Sequence, residues 1–414
     1  MMSPQDVTAN YESRGTILYI SYDGMLEPLG QSQVLAYLKK LAAERPIHLI
    51  SFEKAEDWES IKQRSLIQQD IANSGIHWHP LRYHKHPSSI ATAWDILQGC
   101  MVGVWVALRY RCKIVHARSY VAAVMALVVK RLTGAKFIFD MRGFWADERV
   151  DGGIWPANSK MYRISKYFER QFLLHADHVV SLTHAAVRVM KQFPYLKETT
   201  TSFSVIPTCA DLAKFTPAES TARERRERPF TLGYVGSAGT WYLFGQVCQA
   251  MVALLKINPQ AQFLLVNKGE HELIREELAN AGIPAESFSI ITANHSEVPH
   301  LINQMDAGIF FIKPAYSKQA SAPTKLAEFL GCGVPCLSNS GVGDMAEVLE
   351  SEGVGISISN FQEDTLENAL AKLIKLVANP HTESLCVSAA HKHFSLDEGV
   401  RRYSQIYLQL DKQL

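Results

Sequence analysis

The sequence predicts an α/β protein with two doubly wound domains, each built on a parallel sheet. Short β-rich apolar runs alternate with longer segments whose apolar residues recur at helical spacing, as at Val34, Leu38 and Leu41. This alternation indicates βαβ units, in which helices cover both faces of a parallel sheet. The strand candidates are too numerous for one such sheet, so two domains side by side are the simpler prediction.

The strand candidates form two series. In the first half of the chain they are Ile17–Tyr22, Ile47–Phe52, Ile76–Leu81, Ile114–Ala117, Lys136–Met141 and His178–Leu182. In the second half they are Thr231–Val235, Gln262–Val266, Phe288–Thr292, Ala307–Ile312, Pro335–Ser338 and Gly355–Ile358.

A polar stretch that ends in proline, Thr221–Pro229, lies between the two series. It favours a solvated linker over an arginine cluster for phosphate, because Glu224 and Glu227 offset the arginines. We therefore expect a first domain over 1–206, a linker over 207–229 and a second domain over 230–394.

Composition excludes several classes of protein. Apolar residues make up 47% and charged residues 20% of the 414-residue chain, as in globular rather than disordered proteins. The net charge of +1 argues against a dedicated nucleic-acid binder. The seven cysteines, an odd number spread over the chain, form neither a disulfide framework nor a paired C-x-x-C zinc site, which favours a reducing compartment.

No membrane or export segment is expected. The N-terminus lacks the basic-then-apolar order of a signal peptide. The charge-free run Ile96–Leu108 is shorter than the roughly 20 residues that a membrane span needs. The sequence therefore predicts a cytoplasmic protein.

Two loops that follow predicted strands are candidate ligand sites, because ligands bind beyond the carboxyl ends of strands in such sheets. The first, Tyr22–Ser32, contains Gly24 and Gly30, which allow close backbone approach; an ordinary strand-to-helix turn is the alternative. The second, Gly236-Ser237-Ala238-Gly239-Thr240, offers backbone N–H groups for phosphate, although small residues also serve tight packing.

A third loop is the most informative. Ser321-Ala322 precedes Pro323, which suits a first helical position. Lys325 would then lie in the first turn, where its charge opposes the helix dipole unless an anionic ligand binds there. Glu328, four residues after Thr324, would be close enough to the same helix end to accept hydrogen bonds from a ribose. A capped helix without a ligand is the alternative.

At these residues the sequence resembles the GT-B glycosyltransferases, in particular the family 4 (group 1) enzymes. The resemblance rests on Pro323-Thr324-Lys325-x-x-Glu328 before Gly-Val-Pro, and on Gly341-x-Gly343 with Glu347. It covers nearly the whole chain through five further segments: Asp23–Gln33, Asp140–Trp145, Ala176–Thr183, Ser204–Pro217 and Phe394–Leu414. The last of these is similar to the helix that crosses back onto the first domain in that fold, so 395–414 is expected to join that domain.

The resemblance implies a GT-B fold, whose two domains face a cleft, and a retaining transfer from a nucleotide-diphosphate sugar. The donor would lie mainly on the second domain and the acceptor on the first, and donor binding would narrow the cleft. No metal or other cofactor would be needed, since cations and helix dipoles stabilise the leaving diphosphate. The donor-binding residues implied are Gly30, Gly236, Ser237, Ser321, Thr324, Lys325 and Glu328, the last on the ribose.

Two features depart from the family pattern. The paired acids E-x7-E would place the first Glu at position 320, where this chain has Ala320. The Arg and Lys that usually follow the first strand of the second domain are replaced by Ser237 and Trp241-Tyr242. Gln319 and Ser321 are the polar residues next to the missing acid.

Charged residues cluster after the predicted strand Lys136–Met141 and near two neighbouring strand ends. Asp140 and Arg142 are candidate catalytic residues at the cleft mouth, with Asp147 and Glu148 close by in sequence. Candidate acceptor-side residues are Asp23, His116 and Arg118. An ion pair between Arg142 and an aspartate that merely braces the loop is the alternative.

Two other features have competing interpretations. His77, His79, His84 and His86 lie close together, but a metal site there would need further ligands. The segment Lys160–Leu174 has basic residues on one helical side and apolar residues on the other, which favours a solvated face or docking on anionic lipid headgroups. The basic residues are Lys160, Arg163, Lys166 and Arg170, and the apolar ones are Met161, Ile164, Phe168 and Phe172.

The sequence thus predicts a glycosyltransferase that uses a nucleotide-diphosphate sugar and a sugar or lipid-linked acceptor, as in cell-envelope polysaccharide or glycolipid synthesis. It would be cytoplasmic, either free or peripheral at the inner face of the membrane, with no nucleic-acid partner. A non-catalytic sugar-nucleotide-binding protein is the first alternative, which Ala320 favours. A nucleotide-dependent oxidoreductase is the second, disfavoured because no G-x-G-x-x-G follows a strand.

Overall fold

The computed structural model describes residues 14–86, 88–219 and 228–413, which divide into two compact units. One unit combines the chain up to Val150 with Trp155–Ile206 and the segment from Gly399, and the other combines Asp151–Ile154 with Pro207–Glu398. About a third of the expected linker, 220–227, lies outside the described residues, so its limits stay a prediction.

The first unit contains a seven-stranded parallel sheet. Its strands are β1 (Ile17–Ser21), β2 (Ile47–Glu53), β3 (Ile76–Arg82), β4 (Ile114–Arg118), β5 (Lys136–Asp140), β6 (His178–Ser181) and β7 (Ser202–Val205). They lie in the order β3-β2-β1-β4-β5-β6-β7. The central strands β1 and β4 are buried along their whole length, as expected where helices cover both faces.

Helices connect these strands as the alternating pattern predicts. α1 (Pro28–Gly30) continues through a π-helical turn (Gln31–Leu35) into α2 (Ala36–Ala42). The others are α3 (Ala55–Glu59), α4 (Ile61–Asn73), α5 (Ser88–Arg109), α6 (Ser119–Thr133), α7 (Trp145–Asp151), α8 (Lys160–His175) and α9 (His184–Lys191). A 3₁₀ turn, Pro194–Leu196, precedes β7.

The second unit contains a six-stranded parallel sheet in the order β10-β9-β8-β11-β12-β13. Its strands are β8 (Thr231–Val235), β9 (Gln262–Val266), β10 (Phe288–Ile291), β11 (Ala307–Ile309), β12 (Cys336–Asn339) and β13 (Gly355–Ile358). Its helices are α10 (Phe244–Ile257), α11 (His271–Asn280), α12 (Val298–Ile302), α13 (Thr324–Gly331), α14 (Met345–Ser351), α15 (Glu363–Ala378) and α16 (Thr382–Phe394). Short 3₁₀ turns occupy Ala285–Ser287 and Ser317–Ala320.

The last helix, α17 (Leu396–Asp411), packs on the first unit, as expected for the returning segment. The buried Arg45 guanidinium pairs with Asp411 at 2.9 Å. Arg402 donates a hydrogen bond to the carbonyl oxygen of Val205 at 2.8 Å. The predicted fold class, with two Rossmann-like parallel sheets and a returning helix, is therefore confirmed.

Predicted and observed strands agree closely, and the two main differences have local causes. β7 is absent from the predicted strands because its sequence, SFSV, contains no continuous apolar run. The predicted strand Ala307–Ile312 is too long, since β11 ends at Ile309. Beyond it, Ile312 bonds to the Asn339 side chain, its N–H donating at 2.8 Å and its carbonyl accepting at 2.9 Å.

Helix α5 is longer than the apolar run that the sequence suggests. By length and composition alone, Ile90–Arg109 is apolar enough to cross a membrane, although a third of its most apolar window is buried against the first unit. It lies on the sheet and on α6 through glycines: a Cβ added at Gly99 would be 2.3 Å from the Met125 sulfur, and one at Gly103 would be 3.1 Å from Val129.

Candidate functional site

The loop after β8 binds an anion that belongs to the protein itself. Ala238 and Gly239 donate their backbone N–H groups to the Glu270 carboxylate at 2.9 and 3.1 Å, and the Ser237 hydroxyl donates at 2.9 Å. The Asn267 side-chain amide donates to the same carboxylate at 3.0 Å. The loop therefore holds the Glu270 carboxylate in this structure, and the phosphate site expected there stays a prediction.

Lys325 lies in the first turn of α13 and is buried without a hydrogen-bond partner on its Nζ among the described residues. The Nζ is 3.7 Å from the ring centre of Tyr242, 4.9 Å from that of Tyr234 and 5.5 Å from that of Phe310. Burial lowers the pKa of this ammonium to about 7, against the opposing effect of the Glu328 carboxylate. The ring faces partly stabilise the cation, but its N–H donors form no hydrogen bond to the described residues.

The Trp241-Tyr242 pair is held beside Lys325 by backbone pairing with the segment that follows β11. Tyr242 forms an isolated antiparallel bridge with Ile312, and Lys313 donates its N–H to the Trp241 carbonyl at 2.8 Å. This segment replaces the basic residues that the resemblance leads one to expect. It therefore supplies an aromatic face for Lys325 in place of a second cation.

The helix start around Lys325 differs slightly from the prediction. Pro323 has extended backbone (ψ 128°) and precedes the helix, so α13 begins at Thr324 and its first N–H groups lack a side-chain cap. Ser321 and Thr324 are half-buried at this end. A Cβ added at Gly236 would be 3.4 Å from the Lys325 Nζ, so the structure brings the β8 loop and this helix start together.

Glu328 follows one turn later, with 8% of its surface exposed. Its Oε1 lies 3.4 Å from the Nε2 of the exposed His295, and this contact raises the pKa of His295. Ala320 is buried at 1% exposure in the preceding 3₁₀ turn, so no carboxylate replaces the missing first acid at that position. Glu328 is therefore the acid that remains beside Lys325.

In the first unit, candidate residues meet at the carboxyl ends of three adjacent strands. Ser21, Arg118 and Asp140 lie side by side in register at the ends of β1, β4 and β5. Arg118 donates its Nε hydrogen to the Asp23 carboxylate at 3.2 Å, and Asp23 is exposed enough to meet a ligand. The structure thus brings together Asp23, Arg118 and Asp140 as the sequence predicts.

Asp140 itself is fully buried, which argues against direct contact with a substrate. The Tyr403 hydroxyl of α17 donates to its Oδ2 at 2.9 Å, and its Oδ1 has no hydrogen-bond partner among the described residues. Burial opposes its ionisation, but the charge of Arg142, with a further contribution from that of Arg118, outweighs burial and lowers the pKa of Asp140. Asp140 as a catalytic residue stays a prediction, and its burial favours a charged positioning role.

His116 is equally enclosed. Its Nδ1 lies 2.7 Å from the Tyr407 hydroxyl, and its Nε2 lies 3.8 Å from the Asp140 Oδ2, too far for a hydrogen bond. Burial lowers the pKa of His116, with Asp140 opposing the effect, so the ring is neutral at pH 7. Its position supports Asp140 and Tyr407, away from a direct acceptor-side role.

Arg142 is the half-buried member of the catalytic pair proposed from the sequence. Among the described residues it forms no ion pair within 4.0 Å and no hydrogen bond, but its charge and that of Asp140 act on each other, so the bracing alternative stays open. Its φ is +57°, in the left-handed region that non-glycine residues rarely adopt. Ser119, the first residue of α6 just after β4, shares this strained backbone with a φ of +68°. Such strain is typical of functional sites.

Gly30 has a packing explanation that involves no ligand. A Cβ at Gly30 would lie 2.0 Å from the Gly24 carbonyl oxygen, so only glycine fits. The N–H groups of Met25 and Leu26 in the same loop donate to the buried Glu53 at 2.8 and 3.1 Å. Gly30 as a donor-binding residue stays a prediction.

Other sequence hypotheses are explained by packing. Asp147 accepts hydrogen bonds from Tyr162 and Lys166 at 2.8 and 2.9 Å, in a brace away from Asp140. Lys166 is thereby removed from the basic face predicted for α8.

The histidines of β2 and β3 stack as rings instead of assembling a metal site. His79 lies 3.0 Å from His48, nitrogen to nitrogen, and the ring of His48 stacks on those of His77 and Tyr110. Burial lowers the pKa of His48 to about 4, so its ring is neutral at pH 7. His84 instead pairs with Asp95 at 2.6 Å. Over the residues that the structure describes, no group of three or more His, Cys, Asp or Glu side chains is arranged to hold a metal ion.

Sequence reasoning missed the partners that define both sites. Glu270, Tyr242, Tyr403 and Tyr407 each come from a segment distant from the residues they contact. One signal was available: Tyr403 and Tyr407 are four residues apart and therefore share a face of the predicted last helix. Another was the acid that follows the second strand in both units, Glu53 and Glu270.

Two family models match the chain. The Glycosyl transferase 4-like domain matches residues 38–195, and the Glycosyl transferases group 1 domain matches residues 216–385. No curated protein matches the chain in sequence.

Many solved structures share the fold at low sequence identity. Sucrose-phosphate synthase from Thermosynechococcus elongatus matches with a TM-score of 0.71 and 13% identity, covering 97% of this chain and 100% of that one. The Anabaena protein Alr3699/HepE in complex with UDP matches with a TM-score of 0.67 and 13% identity, covering 95% and 100%. The lipopolysaccharide outer core galactosyltransferase WaaB in its apo form matches with a TM-score of 0.63 and 12% identity, covering 95% and 99%. At these identities the likeness shows the fold alone.

Proposed function

Because the chain belongs to the group 1, family 4-like glycosyltransferases of GT-B fold, we propose that it transfers a sugar, with retention, from a nucleotide-diphosphate sugar to a glycan or lipid-linked acceptor. Membership of this enzyme family argues against both alternatives that the sequence left open, an oxidoreductase and a non-catalytic binding protein. Envelope polysaccharide or glycolipid synthesis is the proposed setting, and WaaB, which acts on lipopolysaccharide, supports it.

The observation that carries the donor proposal is the buried Lys325 ammonium without a hydrogen-bond partner at the uncapped start of α13. A helix start presents free N–H groups and a partial positive charge. An ammonium at the same place is unfavourable unless an anion joins it, and a diphosphate supplies both charge and acceptors. Glu328, one turn away, then meets the ribose hydroxyls. No step of this scheme requires a metal or another cofactor.

The donor is proposed to be a uridine diphosphate sugar. The Anabaena relative is described in complex with UDP, with UDP-glucose and with UDP and glucose, and it shares the fold over 95% of this chain. Acceptor recognition is assigned to the first unit, where Asp23, Arg118 and Arg142 present charged groups at adjacent strand ends.

A panel of nucleoside diphosphates and their sugars tests this proposal. A ligand at 100 times its dissociation constant stabilises the folded protein by about 2.7 kcal/mol, which raises the melting temperature by several degrees. We expect a UDP-sugar to give the largest shift and Glu328→Gln to reduce it. An exposed-carboxylate variant, Glu286→Gln, is the matched control and keeps the full shift. A panel in which no nucleotide shifts the melting temperature, and no donor is consumed with acceptor extracts, contradicts the proposal.

A lipid-linked acceptor implies contact with a membrane surface, and we assign this contact to α5. Six large apolar side chains on its outer face are about half-exposed or more. Their spacings of three and four residues form one stripe: Ile90, Trp94, Leu97, Met101, Trp105 and Leu108. The charged residue within this span, Asp95, is buried on the opposite face, where it binds His84 and Tyr22.

The positive charges next to the stripe favour a lipid bilayer as the partner that covers it. Arg109, Arg111 and Lys113 are all exposed just beyond its end and suit anionic headgroups. Trp94 and Trp105 have the amphipathic rings that settle at a membrane interface. This helix therefore replaces α8, which the sequence suggested, as the docking surface.

Vesicle binding tests α5 directly. We expect Trp94→Ser with Trp105→Ser to weaken binding to vesicles of phosphatidylglycerol and phosphatidylcholine by more than about tenfold, since each buried apolar side chain contributes about 1.5–3 kcal/mol. Leu132→Ser, which alters an exposed apolar residue of α6, is the control and should bind normally. Unchanged vesicle binding of the double variant, or a wild-type dimer that the double variant dissociates, contradicts the assignment.

A further inference from the structure

The carboxylate of Glu270 has all its acceptor positions filled by the loop after β8. One oxygen accepts from the Ser237 hydroxyl and the Gly239 N–H, and the other accepts from the Ala238 N–H and the Asn267 amide. Asn267 is itself fixed, because its amide also donates to the Gly236 carbonyl at 3.0 Å and its Oδ1 accepts from the Glu270 N–H at 2.8 Å. Four converging donors on rigid elements form a built anion site.

This anion site lies next to the ammonium that has no hydrogen-bond partner. Gly236 connects the two, since its carbonyl binds Asn267 and its Cα faces the Lys325 Nζ. The site therefore contains one buried cation, Lys325, and one carboxylate, Glu270, which accepts the hydrogen bonds of the neighbouring loop donors. A diphosphate placed here would meet the Glu270 charge at short range.

We propose that Glu270 is an internal competitor for the donor's diphosphate: it fills the anion site of the β8 loop in the free enzyme and leaves it when a phosphate binds. This inference rests on the proposed function for the identity of the physiological ligand. Glu270 is half-buried just before α11 and is held by polar contacts, so its side chain can turn to solvent without exposing apolar surface.

The competitor has a functional consequence. Part of the binding free energy of any phosphate ligand is used to displace Glu270, so small anions and the free nucleoside diphosphate bind more weakly than the loop alone would allow. A complete donor, with contacts to its base, ribose and sugar, overcomes this opposition. After transfer, the returning carboxylate favours release of the nucleoside diphosphate.

Calorimetry with inorganic pyrophosphate and UDP on wild type and Glu270→Gln tests the proposal. We expect Glu270→Gln to bind both ligands about tenfold more tightly, because the neutral amide holds the loop donors weakly and does not repel phosphate. Glu272→Gln removes an exposed charge two residues away and should change either affinity by less than about twofold. Glu270→Asp keeps the charge on a shorter side chain, which does not span the same donors, and should fall between the two.

Several results would overturn the inference. If Glu270 merely braces the loop, Glu270→Gln and Glu270→Asp lower the melting temperature and leave pyrophosphate affinity unchanged or weaker. Equal pyrophosphate binding by wild type and both variants also contradicts it, while UDP-sugar binding by all three leaves the proposed function intact. Tighter pyrophosphate binding in Glu270→Gln without any nucleotide-sugar binding supports the competitor and removes the proposed function instead.

Discussion

Replacing Lys325 with methionine is expected to reduce turnover of the donor about 100- to 1,000-fold while raising the melting temperature of the free protein. The loss follows from removing the buried cation that faces the diphosphate. The gain in stability follows because methionine fills the same space among Tyr234, Tyr242 and Phe310 without a charge to desolvate. Opposite changes in activity and stability are diagnostic of a functional, rather than structural, lysine.

The pH dependence of donor binding gives an independent check on Lys325. With a pKa of about 7 in the free enzyme, the side chain is charged below pH 7 and loses its proton above it. Donor affinity should therefore be constant below pH 6 and fall towards about tenfold per pH unit above pH 7, with proton uptake on binding near neutrality. A UDP-sugar is the suitable ligand because its diphosphate does not titrate in this range.

Two controls make the lysine result decisive. Lys268→Met removes an exposed lysine of the same unit and should preserve both turnover and the pH profile. A Lys325→Met enzyme with near-normal turnover, or a wild-type affinity that is flat from pH 6 to pH 9, would remove Lys325 from the donor site.

Replacing Arg142 with alanine is the second large effect, again with a loss of about 100- to 1,000-fold in turnover. Arg142 has no salt bridge among the described residues, and its charge acts on Asp140 and on whatever binds at the strand ends. The left-handed backbone conformation at this position is unfavourable for alanine as it is for arginine, so the substitution does not change the backbone strain. The melting temperature should fall as well, because Arg142→Ala removes the charge that keeps the buried Asp140 ionised.

Asp140→Asn separates positioning from chemistry in this pair. Asparagine keeps an acceptor for the Tyr403 hydroxyl but removes the negative charge of Asp140. That charge raises the pKa of Arg142, whereas burial lowers it. We expect a lower melting temperature and a reduced kcat, with the same pH profile as wild type because Asp140 does not exchange a proton with substrate. Arg149→Ala, on the following helix, is the matched control. Near-normal turnover in Arg142→Ala would show that the loop has only a structural role. If the pH–rate profile of Asp140→Asn lacked its acidic limb, Asp140 would be an acid or base after all.

The parallel sheets could be predicted because their signal is local. The buried strands of a sheet covered on both faces are continuous apolar runs, as in β1 and β4, and such runs are legible without any knowledge of their neighbours. β7 and the end of β11 were the exceptions, since their limits depend on neighbouring segments more than on apolar content.

The sequence by itself determined the two-domain parallel architecture, the helix start that bears Lys325 and Glu328, and the loop of small residues after β8. Each of these is encoded in residues adjacent along the chain, by hydrophobic period, helix-start chemistry or glycine. Only the tertiary structure decided what these groups contact: that Glu270 occupies the β8 loop, that aromatic rings surround Lys325, and that Tyr403 seals Asp140. Those contacts join segments far apart in the chain, and burial, which sets the charge and accessibility of each group, exists only once the segments have packed together.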